Sequence, residues 1–133
     1  MTDAWLNQVI EDVIEPELPI VDPHHHLWPP GGAMSYGLDD LRADAGDGHN
    51  VIATVFIECG AAYRTGGDAR FAPVGETEFV AQEAGRDDPG LIRGIVARAD
   101  LRDDALDEVL DAHEAAAAGR FRGIRHALSR AIE

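Results

Sequence analysis

Short, β-branched apolar runs alternate along this chain with helical segments, and that alternation restricts the fold more than any other feature. Residues 51–58, Val-Ile-Ala-Thr-Val-Phe-Ile-Glu, are apolar on both faces and too few for a typical helix. A run of that kind reads as a strand buried in a parallel sheet. Residues 91–99 and 121–126 read as a third and a fourth strand, and Ile20-Val21 opens a strand ahead of them. Between these runs, residues 38–45, 76–84 and 103–118 carry helical spacing. Four strands, each separated from the next by a connecting segment, imply an α/β fold whose crossovers cover a parallel sheet. Arg93-Gly94-Ile95 recurs as Arg122-Gly123-Ile124, about one βαβ unit later.

Ahead of the first strand, Asp3 is placed to cap a short amphipathic helix through Trp5, Leu6, Val9, Ile10 and Val13, which Pro16 and Pro19 end. The chain therefore divides into a helical extension, residues 1–17, and the strand–helix units of residues 18–133. Residues 60–73 form a polar, Gly-rich loop long enough to be functional rather than a bare connection.

Charge excludes two classes of partner. The 25 acidic residues outnumber the 11 basic ones, for a net charge of −14, so no basic surface for nucleic acid or an anionic membrane is expected. All the basic residues are Arg, so no lysine Schiff base or carboxylated-lysine metal bridge can arise here. One cysteine, Cys59, forms no internal disulfide and fits a reducing compartment. With no signal-peptide pattern at Met1-Thr2-Asp3-Ala4-Trp5, and no apolar run near the roughly 20 residues that span a bilayer, a cytoplasmic protein is expected.

The stretch that carries chemistry is Asp22-Pro23-His24-His25-His26. On an extended strand alternate side chains share a face, so Asp22, His24 and His26 point one way and His25 the other. Two imidazoles on one face can converge on a divalent ion, with Asp22 as the hydrogen-bond partner that fixes a tautomer. By spacing alone, three consecutive His read more readily as a solvated loop. Favouring the ligand reading, the pair sits where an apolar strand ends, and α/β folds place their ligands at strand C-termini.

Pro19-Ile20-Val21-Asp22-Pro23-His24-His25-His26-Leu27-Trp28 resembles the first strand of the amidohydrolase superfamily, closest to its amidohydrolase-2 branch of metal-dependent hydrolases. The resemblance continues through His49-Asn50-Val51 to Glu58-Cys59, through Pro73-Val74-Gly75-Glu76-Thr77-Glu78-Phe79, and through Phe121-Arg122-Gly123-Ile124-Arg125-His126. It implies the N-terminal half of a (β/α)8 TIM barrel, truncated after about four strands. It also implies His24 and His26 as ligands of a divalent metal, zinc or else manganese. Further His ligands and a catalytic Asp would come from later strands, beyond this chain. The branch contains lactonases alongside decarboxylases and hydratases, and some members work without metal, in which case the His pair orients substrate.

Arg125, at the end of the fourth strand, can hold a substrate carboxylate or lactone carbonyl in a forked contact, or else make a structural salt bridge. His126 is a lesser substrate-binding candidate, and Glu58 is placed either for substrate or for hydrogen bonding at the core rim. Cys59 reads as a packed small apolar side chain, His49 as a turn residue, and His113 as lying on the solvated side of an acidic helix. The expected activity is metal-dependent hydrolysis of a small organic acid derivative, a lactone before an amide. The rival reading is a non-catalytic half-barrel or metal-binding module. The expected partners are a small-molecule substrate and, given the open sheet edges of half a barrel, further copies of the chain.

Overall fold

The computed structural model describes residues 8–9, 11–87 and 90–127. Its elements in chain order are β1 (Pro19–His25), α1 (Leu38–Ala45), β2 (Asn50–Ile57), a single 3-10 turn (Ala69–Phe71), α2 (Val74–Gly85), β3 (Ile92–Arg98), α3 (Leu106–Ala116) and β4 (Phe121–Arg125). The strands form one sheet in the order β1-β2-β3-β4, every pair parallel. The chain is thus α/β with sequential parallel strands, as the alternation requires. Among the described residues no helix is long and apolar enough to cross a membrane.

Local chemistry explains the helices. In α1 the Asp40 carboxylate accepts the Gly37 N–H at 2.8 Å, and Asp39 and Asp40 sit in the first turn, where the helix dipole favours negative charge. The buried face of α2 comprises Val74, Thr77, Val80, Ala81 and Ala84, one stripe at helical spacing. Its second residue must be small. A Cβ on Gly75 would stand 2.8 Å from the Ala62 carbonyl oxygen and the Arg64 nitrogen. Leu27, Leu38, Leu41, Phe56, Val80, Ile92 and Ile95 meet in the core, each buried side chain contributing about 1.5–3 kcal/mol over exposure.

Three expectations need correction. The N-terminal helix lies partly outside the described residues, and what is described of it, residues 8–9 and 11–13, is not helical. Val9 is 70% exposed, and a short helix without a surface to pack on is marginal in water. The helix expected over residues 103–118 starts only at Leu106, because the Asp103 carboxylate accepts the Ala105 N–H at 2.8 Å in a local turn. His113 is not solvated but fully buried. Its Nδ1 accepts the Thr77 hydroxyl at 2.8 Å and its Nε2–H donates to the Arg98 carbonyl at 3.0 Å, tying α3 to α2 and β3. Val109, His113 and Ala117 are all buried at four-residue spacing, a stripe that the acidic residues around it obscured.

Candidate metal and substrate site

His24 and His26 do share a side of β1. Their Nε2 atoms lie 3.3 Å apart and their rings meet edge to face, centroids 4.9 Å apart. The His26 Nδ1–H donates to the Ile57 carbonyl at 2.7 Å, which leaves the Nε2 lone pair of the neutral ring facing His24. The parallel pairing of β1 with β2 supplies that carbonyl, since His25 stands opposite Phe56. Two nitrogen donors about 2.0–2.1 Å from one zinc ion in a tetrahedral shell stand about 3.3 Å apart. The donor pair therefore fits such an ion in spacing, and His26 fits it in tautomer as well. Among the described residues, no group of three or more His, Cys, Asp or Glu side chains is arranged to hold a metal.

Asp22 does not fix a tautomer. Its Oδ1 accepts the His24 backbone N–H at 3.0 Å, which shapes the strand end, and the orienting acceptor on His26 is a main-chain carbonyl instead. His25 faces away, as the alternation requires. It is buried, edge-on to Phe56 at 5.8 Å, with neither ring nitrogen hydrogen-bonded among the described residues. Burial holds its pKa below the usual imidazole value, so it packs as a neutral ring.

One residue beyond the carbonyl that holds His26, Glu58 begins a second polar cluster. It is 6% exposed. Its Oε1 accepts from Arg125 Nε at 2.9 Å and its Oε2 from the Tyr63 hydroxyl at 3.2 Å, and Arg125 Nη2 also donates to the Glu58 carbonyl. Burial, and then the charges of Glu58 and Glu76, push the Tyr63 phenol well above its ordinary range. Arg125 thus makes the ion pair that was one of its two sequence readings; its fork is directed at Glu58, which leaves only its remaining N–H groups for a ligand.

Glu58, Cys59, Gly60, Tyr63, Arg98, Arg125 and Ala127 line a cleft of about 400 Å³ at the C-terminal ends of β2, β3 and β4. Beneath it the buried Glu76 carboxylate accepts the Ala61 N–H at 2.7 Å, the Cys59 N–H at 3.2 Å and the Cys59 thiol at 3.5 Å. This fixes the start of the loop over residues 60–73. Burial, reinforced by Glu76, pushes the Cys59 thiol up to about 12. A thiol protonated at neutral pH and packed against the core behaves as a small apolar group.

His126 belongs elsewhere. Its Nδ1 accepts the Leu101 N–H at 3.1 Å and stands 3.5 Å from Asp100 Oδ1, which links the loop after β3 to the end of β4. The structure therefore brings His24 to His26, and Glu58 to Arg125, with both pairs at the strand C-termini joined through the Ile57–Glu58 peptide. Tyr63, Glu76 and Arg98 escaped the sequence reading. Tyr63 lies in the loop already marked as functional, but no local pattern announced that its hydroxyl would meet Glu58. No family model matches this chain, and neither do the curated proteins or solved structures with which it was compared.

Proposed function

We propose that this chain is the N-terminal, metal-binding half of an amidohydrolase-type hydrolase acting on a small organic acid derivative, a lactone first and an amide second. The observation that carries the reading is the imidazole pair, two Nε2 atoms 3.3 Å apart with the His26 tautomer set by the Ile57 carbonyl. His24 and His26 would hold a divalent ion, zinc or else manganese, together with donors outside these residues. When bound, such an ion lowers the pKa of a coordinated water towards about 7 and polarises the carbonyl under attack. The chain's own residues orient and shield. The Ile57 carbonyl fixes His26, Trp28 packs edge-on against that ring at 5.7 Å, and the cleft beside Glu58 offers space for a substrate. The base is assigned to an Asp outside the chain.

The test is metal content after dialysis against Zn²⁺ or Mn²⁺, with the missing half supplied, in the protein carrying the parent sequence and in His24→Ala/His26→Ala. Loss of bound metal in the double variant, with circular dichroism unchanged, is the expected result. Equal metal content in the two proteins would overturn the assignment. Metal bound without turnover of lactones or amides, even when the missing half is supplied, would leave a binding module rather than a hydrolase.

A further inference from the structure

Arg98 ends β3 directly beside Arg125 of β4, the two residues being partners in the parallel register. Their circumstances differ. The Arg125 fork is directed at Glu58, whereas the Arg98 side chain has no hydrogen bond or ion pair among the described residues. Its neighbours show how unusual that is in so acidic a chain. Arg42, Arg64, Arg70, Arg86 and Arg102 each hold a carboxylate, and Arg122 is spent on backbone carbonyls. Arg98 instead lines the 400 Å³ cleft and also an adjoining one of about 330 Å³ bounded by Pro73, Val109 and the charged side chains of Arg70, Asp100 and Asp103, of which Asp100 and Asp103 face Arg102 and Arg70.

We propose that the cleft between Tyr63, Arg98 and Arg125 is a binding subsite for a small carboxylate, with the Arg98 guanidinium as its forked anchor. Among the residues lining the larger cleft, two guanidinium groups stand against the single carboxylate of Glu58. Within that lining one positive charge is left over, which matches one carboxylate rather than a dianion, while Glu76 beneath is already engaged by the Ala61 and Cys59 N–H groups. A planar guanidinium with its donors free presents the two parallel N–H groups that a carboxylate accepts. The space lies within the range of small-molecule sites. Tyr63 and Arg98 line the same cleft, and the Arg98 charge opposes the upward push of burial and the acids on the Tyr63 phenol. The site adjoins the His pair through Ile57 and Glu58, so a carboxylate held there would carry the rest of its molecule along the strand ends. Binding itself needs no metal, and the inference stands whether or not the His pair takes one.

The experiment is an NMR titration of the EDTA-treated 133-residue chain with propionate, with the uncharged propionamide, and with inorganic phosphate. Saturable shifts confined to Arg98 Nε–H, Gly60 and Tyr63 are expected with propionate and absent with propionamide. Arg98→Gln should weaken propionate by about tenfold or more, the loss of a charge-assisted forked contact. His24→Ala/His26→Ala should bind propionate as the parent does, which separates this result from the metal assignment. Mapping on the parent chain needs no variant to fold. Shifts located elsewhere, unchanged affinity in a folded Arg98→Gln, or phosphate binding as tightly as propionate would each overturn the proposal.

Discussion

His113 shows how much one side chain can hold. Its ring accepts from Thr77 and donates to the Arg98 carbonyl, so of the two neutral tautomers the Nε2–H form is the one that satisfies both contacts. Burial lowers its pKa, and the sign follows. Below an unfolded value near 6.5 the unfolded chain takes up a proton that the folded chain refuses, so stability falls as pH drops from about 6.5 towards the folded pKa. One such group can cost up to about 1.4 kcal/mol per pH unit in that window. The melting temperature of the parent chain is expected to fall between pH 6.5 and 5. His113→Gln, whose amide can accept from Thr77 and donate to the carbonyl without titrating, should show a shallower slope. Identical slopes would mean that His113 does not stay neutral as described. Exposed pairs such as Arg70–Asp68 and Arg102–Asp100 matter less, since water and salt screen them.

Between elements, the start of α2 approaches closely the loop that follows β2. Gly75 lets the helix reach the Ala62–Arg64 backbone, and Glu76, one residue on, caps the loop N–H groups. These contacts set the position of Tyr63 and hence one wall of the cleft. Gly75→Ala forces a Cβ against backbone atoms that cannot swing aside, so denaturant unfolding should show a loss of about 1–3 kcal/mol. Gly85→Ala in the last turn of the same helix meets nothing within 4 Å and should leave stability unchanged or raise it by up to about 1 kcal/mol. If the two variants unfold alike, the close approach at Gly75 does not constrain the fold.

At the scale of the molecule, the sheet is open. Among the described residues β1 and β4 each pair on one side only, and Val21 and Ile52 are 54% and 50% exposed. Unpaired edges with apolar neighbours favour association, while a net charge of −14 opposes it. Salt decides between them, because the Debye length is about 10 Å at 0.1 M and about 3 Å at 1 M. Sedimentation of the 133-residue chain is expected to show species larger than the monomer, increasing with concentration and with salt. A monomer throughout would show that the edges are protected.

The order of the elements was legible in the sequence because it rests on local periodicity. The β-branched run at residues 51–58 reads as a strand, although within β2 only Thr54 and Phe56 are buried, and the Asp22–His26 alternation by itself put His24 and His26 on one side with His25 opposite. Partners between strands were not legible, because register depends on separations in space. The Arg-Gly-Ile echo would set Arg93 against Arg122, yet the sheet pairs Val96 with Gly123 and so brings Arg98 beside Arg125. In the same way, only the pairing of β1 with β2 delivers the Ile57 carbonyl to His26 and displaces Asp22 from that role. Burial of His113 needed α2 and β3 packed against its helix. Local pattern determined which groups stand at the strand ends, and the packing of distant segments decided which of them are satisfied and which, like Arg98, are left with donors to offer.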